Sequence, residues 1–197
     1  MGTRHLICVV KNGEYKVAQY GQWDGQPSEQ GENILDFLQN EMDKTKFENQ
    51  IDTLSFATEE ELKQMWIDEG KDPNEKLIPI EVSEKFKELY PENSKDTCSG
   101  IFQIIQNSNK ELKLTNSLNF ASNSLACEWA YVIDLDKNTF EVYKGYNKEV
   151  LAANERFYSV QEPYVGLNAS FYPVKHIISF DLDDLPNEEE FLGSFEN

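Results

Sequence analysis

Residues 4–20 read Arg4-His5-Leu6-Ile7-Cys8-Val9-Val10-Lys11-Asn12-Gly13-Glu14-Tyr15-Lys16-Val17-Ala18-Gln19-Tyr20. Residues 4–10 have the look of a buried strand, and residues 15–20 of a second. Between them sits Asn12-Gly13. An Asn-Gly pair between apolar runs is the strongest short-range signal for a β-hairpin, because both residues tolerate the positive φ of a tight turn. A hairpin brings its open ends together. Arg4 and His5 are therefore expected to lie close to residues 19–23.

The chain continues through Ala18-Gln19-Tyr20-Gly21-Gln22-Trp23-Asp24-Gly25-Gln26-Pro27-Ser28-Glu29-Gln30-Gly31. Glutamines, a Tyr, a Trp, an Asp and glycines crowd the point where a strand ends and a helix begins. Ligand sites use such groups: flat rings for stacking, amides for bidentate recognition, a carboxylate, and glycines that admit a ligand to the backbone. With the hairpin partner included, the candidate ligand-binding residues are Arg4, His5, Gln19, Tyr20, Gln22, Trp23, Asp24 and Gln30. Arg4 suits a phosphate or carboxylate. His5 and Asp24 are the candidate general bases. Gln30-Gly31 precedes a helix, where backbone N–H groups can hold an anion. Bland readings stand beside these: Asp24-Gly25 as a turn, Trp23 as core, Arg4 and Asp24 as a salt bridge across strand ends.

Helical periodicity starts near Asn33, with Ile34, Leu35, Phe37 and Leu38 on one face. Thr58-Glu59-Glu60-Glu61 is a capping box, Leu62, Met65 and Trp66 continue a stripe, and Gly70 stops the helix. Ser83 caps a short helix that Pro91 ends. The second half reads as mostly strand. Gly100–Gln106 is expected to be one, with weaker candidates at 112–114 and 118–121. Residues 128–135 and 139–143 form a second hairpin around Asp136-Lys137-Asn138. Residues 148–157 suggest a short helix, 174–182 a strand, and 185–195 a short acidic helix or tail. This order predicts a single α+β domain over residues 1–197: an antiparallel sheet packed on helices, with an N-terminal hairpin, then helices, then a β-rich half.

The 197 residues carry a net charge of −18. Such a field repels nucleic acid and anionic membranes, which leaves a solvated acidic surface or a surface that meets a basic protein partner. No apolar run reaches membrane-spanning length and no secretory pattern opens the chain, so a cytoplasmic location is expected. Cys8, Cys98 and Cys127 read as buried reduced thiols. Two histidines, His5 and His176, form no metal-ligand spacing; either could serve as a base, His5 being the better candidate and His176 reading rather as a packed or edge residue of its strand. Asp134/Asp136 and Asp181/Asp183/Asp184 read as solvated carboxylates at strand ends. There is no P-loop, Rossmann glycine pattern, G-x-S-x-G or H-E-x-x-H, so neither a cofactor nor a metal is expected.

Thr3-Arg4-His5-Leu6, Ala18-Gln19-Tyr20-Gly21-Gln22-Trp23-Asp24-Gly25, Gln30-Gly31 and the strand Glu128–Leu135 resemble a family of small, mostly uncharacterised microbial and phage proteins. That resemblance implies no assigned activity. It raises the reading that the chain is phage-encoded and sequesters a host immune nucleotide. The strand hairpin, following helices and later hairpin are also similar to N-terminal-nucleophile hydrolases. There the nucleophile is the first mature residue; Met1-Gly2-Thr3 offers one only if processing exposes Thr3. Three functions stay open. The first is a binding protein for a small polar, nucleotide-like ligand. The second is an amide or phosphoester hydrolase using His5 or Asp24, with Arg4 or Gln22 stabilising charge. The third is an acidic inhibitor of a basic protein. The lack of a nucleophile–base–orienter set favours binding over catalysis.

Overall fold

The computed structural model describes residues 2–160, 164–166 and 169–196. Met1 lies outside them, while Thr3, the residue the N-terminal-nucleophile reading needs exposed, lies within. Strands β1 (His5–Lys11) and β2 (Glu14–Gly21) form the expected hairpin. Its turn has Asn12 at φ 57° and Gly13 at φ 73°, the left-handed conformations for which Asn-Gly is suited. The chain then runs helically from Pro27 to Glu41. Wide π-type turns at Pro27–Gly31 and Phe37–Glu41 flank α1 (Glu32–Asp36). Next come α2 (Lys44–Thr53), β3 (Ser55–Phe56), α3 (Glu59–Asp68), α4 (Ile80–Leu89), α5 (Ile101–Asn107) and β4 (Lys113–Leu114). The last third holds β5 (Trp129–Asp134), β6 (Thr139–Lys144), β7 (Tyr164–Gly166), β8 (Ala169–Phe171), β9 (Lys175–Asp181) and α6 (Glu188–Gly193).

The fold is α+β around a five-stranded sheet of order β2-β1-β5-β6-β9. Three pairings are antiparallel. The fourth, β1 with β5, is parallel, from His5↔Trp129 to Val10↔Asp134. One face carries Ile7, Val9, Tyr131, Ile133, Phe140 and Val142 against α1, α2, α5 and α6. The other carries Leu6, Cys8, Ala130, Val132 and Tyr143 under irregular chain that includes Ala121, Leu151 and Phe157. Burial on both faces explains why β1 reads as an unbroken apolar run rather than an alternating one.

Several expectations need correction. Residues 100–106 are not a strand: Ile101, Phe102 and Ile105 point one face of α5 into the core. A short apolar run fits either period, and here the i, i+4 spacing wins. Residues 118–122 form a 3-10 turn rather than a strand. Residues 148–157 contain turns and no helix, because Arg156, described below, ties this segment to the sheet. The Thr58/Glu61 capping box is present, and so is one at Asn187/Glu190 on α6. Gly70 ends its turn at φ 106°. Trp66 and Phe86 stack at 3.7 Å between centroids, joining α3 to α4. All three cysteines are free and buried. Among the described residues no helix is long and apolar enough to cross a membrane, and no cluster of His, Cys, Asp or Glu is arranged to hold a metal.

Candidate functional site

The hairpin brings its ends together, but the pleat separates its residues. Successive strand side chains leave on opposite faces. His5 pairs in register with Gly21 on the helix side of the sheet. Arg4 turns the other way, into a cleft of about 340 Å³ with Ser124, Glu128 and Trp129. Its Nε lies 3.8 Å from Glu128 Oε1 and has no hydrogen-bond partner among the described residues. Tyr20 shares that face, edge-on to Phe120 at 4.8 Å.

The remaining predicted residues are held by the protein itself. Gln19 is buried and donates from Nε2 to Ser94 O at 2.9 Å. Gln22 Oε1 accepts from Lys95 Nζ at 2.6 Å. Trp23, 42% exposed, donates from Nε1 to Asp96 Oδ1 at 2.8 Å. Lys95 Nζ sits 5.7 Å from the Trp23 ring centroid. Gln30 Oε1 accepts from Ser99 N at 3.0 Å, and Gln30 N donates to Asp24 O at 3.2 Å. Asp24 is exposed at φ 55°. Gln19, Gln22 and Trp23 thus pin the 94–98 loop to the end of the hairpin, and they do not converge with Arg4 on one cavity.

The glycines of this stretch also make room for side chains of the protein. A Cβ on Gly21 would lie 2.2 Å from Cε1 and Nε2 of His5, and one on Gly25 would lie 2.9 Å from its Nδ1. The imidazole is fully buried between them, with neither nitrogen hydrogen-bonded among the described residues. Burial, only partly offset by the nearby Thr3 carbonyl, lowers the His5 pKa to about 4. Gly2 makes the same kind of room for Trp23. Gly21→Ala is expected to cost about 3 kcal/mol, at the upper end of overpacking effects. His5→Ala in the same chain should recover part of that loss, a coupling readable from urea midpoints of the single and double variants.

A second cluster was not expected. Arg156 lies on the opposite face from His5. Its Nε donates to Glu141 Oε2 and its Nη2 to Glu141 Oε1, both at 2.7 Å, and Nη2 also donates to Asp134 Oδ2. Tyr143 Oη donates to the same Glu141 carboxylate at 2.5 Å. Asp134 is 2% exposed, which corrects its reading as solvated: it follows Val132 on the inner face of β5. Asp136 is exposed as expected and caps the first hairpin's turn, accepting from Asn12 N and Gly13 N at 2.8 Å. Burial raises the Glu141 pKa, but hydrogen bonds from Arg156 and Tyr143 outweigh it and the net shift is downward. The one available sequence signal was compositional. The chain has two arginines among 18 cationic residues, and a planar fork that binds carboxylates bidentately is what Lys cannot supply.

At the end of the sheet that begins with Arg4, the 340 Å³ cleft adjoins one of about 500 Å³, and both are lined by Lys144, Gly145 and Tyr146. The pair carries four cations, Arg4, Lys144, Lys148 and Lys175, against two carboxylates, Glu128 and Glu149. Lys175 pairs with Glu149. Lys144 and Lys148 have no carboxylate partner among the described residues and lie instead over aromatic rings, Trp129 at 5.4 Å and Tyr146 at 4.9 Å. Tyr146 is 64% exposed at φ 59°, an uncommon conformation for a residue with a bulky side chain. Gly145 beneath it is closed in: a Cβ there would lie 2.2 Å from Cys127 O and 2.6 Å from Ser124 O.

No protein-family model, curated protein or solved structure matches the chain. Its functional reading rests on this geometry.

Proposed function

We propose that the protein binds a small polar ligand that joins an anionic group to a planar ring, of the nucleotide class, in the paired clefts around Tyr146. One observation carries the reading. In a chain of net charge −18, two lysines with no carboxylate partner among the described residues and an exposed tyrosine meet at one cleft beside Arg4. A local excess of cations creates the field that a strongly negative protein otherwise denies an anion. The exposed Tyr146 face offers stacking, and the partly exposed guanidinium of Arg4 adds a planar cation at the edge of the cleft. Binding without turnover suits a protein that withdraws a signalling nucleotide from its receptor.

Titration calorimetry with cyclic and linear nucleotides, and with inorganic phosphate alone, tests this. Heat is expected from ring-bearing phosphates, falling as salt rises. Lys144→Ala/Lys148→Ala should weaken affinity by about tenfold, or about 1.4 kcal/mol. Silence across the panel from folded protein, or equal binding by the double variant, overturns the reading. Trp23→Ala should leave affinity unchanged, because Trp23 belongs to the loop contact and not to the clefts.

A further inference from the structure

His176 and Ser179 are three apart on β9, so a regular strand would send them to opposite faces. It does not. Glu141 pairs with Ser179 and Val142 with Ile178, but Tyr143 pairs with His176. Ile177 is therefore an extra residue, a β-bulge, and the face switches across it. Bulges recur beside active sites because they re-aim a side chain in this way. Here the result is a hydrogen bond of 2.7 Å between His176 Nε2 and Ser179 Oγ. Both side chains are exposed and line a cleft of about 410 Å³ with Lys137, Tyr143 and Arg156. The Tyr143 ring meets the imidazole edge-on at 5.3 Å and 73°. Arg156 and Tyr143 are locked in turn by Glu141, so the floor of the cleft is rigid.

We propose that Ser179 is a nucleophile with His176 as its general base, and that the site accepts an acyl group from a carboxylic ester. With the imidazole proton on Nδ1, Nε2 accepts the Ser179 hydroxyl hydrogen. That is the relation an activated serine requires. Attack forms the Ser179 Oγ–C bond as the hydroxyl proton passes to Nε2. The ester C–O bond then breaks, and the departing alkoxide takes that proton and leaves as an alcohol. Water, deprotonated by the same Nε2, hydrolyses the acyl-enzyme to a carboxylic acid and restores the hydroxyl. Lys137 lines the cleft, two-thirds exposed and 3.8 Å from Asp134 with no hydrogen bond to it, and is the cation that can swing toward the developing oxyanion; the Arg156 guanidinium is hydrogen-bonded to Glu141 and Asp134.

The probe is a fluorophosphonate, which forms an Oγ–P bond and loses fluoride, followed by intact-mass spectrometry of the full chain. One adduct per chain is expected, mapped to Ser179 by peptide analysis and absent in Ser179→Ala. His176→Ala should slow labelling by about a hundredfold, the lower range of general-base effects, with an unchanged circular dichroism spectrum because both side chains are exposed. Hydrolysis of p-nitrophenyl acetate should fall in parallel. No adduct on the wild-type chain, an adduct that survives Ser179→Ala, or labelling of His176→Ala at the wild-type rate overturns the proposal. Nucleotide binding is read separately by calorimetry, so either proposal can fail without the other.

Discussion

Arg156→Met is expected to destabilise the protein by about 3–5 kcal/mol, the cost of leaving a buried charge without its partner. Two carboxylates depend on this one guanidinium. Glu141 is bridged bidentately and Asp134 is reached by Nη2. With side-chain exposures of 2% for Asp134 and 6% for Glu141, neither can turn to water. Lys137 cannot substitute, because its Nζ is 3.8 Å from Asp134 on a largely exposed side chain. Total stabilities of single domains lie near 5–15 kcal/mol, so the variant would sit close to unfolding. The urea midpoint is the readout. Arg156→Lys should fall between wild type and Arg156→Met, since an ammonium cannot bridge both acids. Adding Glu141→Gln and Asp134→Asn to Arg156→Met should restore much of the loss, because removing the whole charged cluster is far less costly than orphaning half of it. A wild-type midpoint for Arg156→Met would show that the cluster holds nothing together.

Acid is the second large perturbation. The His5 pKa is lowered to about 4 in the folded chain, against about 6.5 for the unfolded one. Between those values the unfolded state binds more protons, so stability rises with pH there. The His5 contribution is fully present above about pH 6.5, declines as pH falls, and levels off below about pH 4, for a total loss of about 3 kcal/mol. Carboxylates such as Glu141, whose pKa is lowered, lose their contribution at still lower pH and add to the fall. His5→Phe replaces the imidazole with a ring that does not titrate. Urea midpoints at intervals from pH 7 to pH 4.5 should decline in wild type and stay nearly level in His5→Phe. Parallel profiles would mean that His5 gains a proton without disturbing the fold.

Much of the architecture was legible because it is written in short-range chemistry. Asn12-Gly13, the Thr58/Glu61 box and the 128–143 hairpin each depend on residues a few positions apart. The 100–106 helix was missed because a short apolar run carries no period of its own. The parallel pairing of β1 with β5 was invisible, since nothing local distinguishes a strand's neighbours. The candidate site was legible only in part. Polar groups and glycines do gather at residues 18–31, but they satisfy one another: glycine voids hold His5 and Trp23, and the amides bind a loop from residues 94–98. The pleat that separates Arg4 from His5 follows from strand geometry and was available to sequence reasoning. The Arg156 cluster joins residues up to 22 apart in sequence, and the His176–Ser179 contact depends on a bulge, so neither could be found without register.

The parallel pairing has a consequence for how the chain is made. β1 is an interior strand of the sheet, yet its second partner begins 124 residues after it, at Trp129. At translation rates of roughly 5–20 residues per second, the edge of β1 waits about 6–25 s on the ribosome before β5 exists. During that interval the first hairpin exposes an unpaired, almost wholly apolar strand, the kind of edge on which nascent chains aggregate. Pairing across so long a loop also places this protein among slow folders. Newly made chains should therefore depend on chaperones for the interval before residue 134 emerges, however stable the finished sheet becomes.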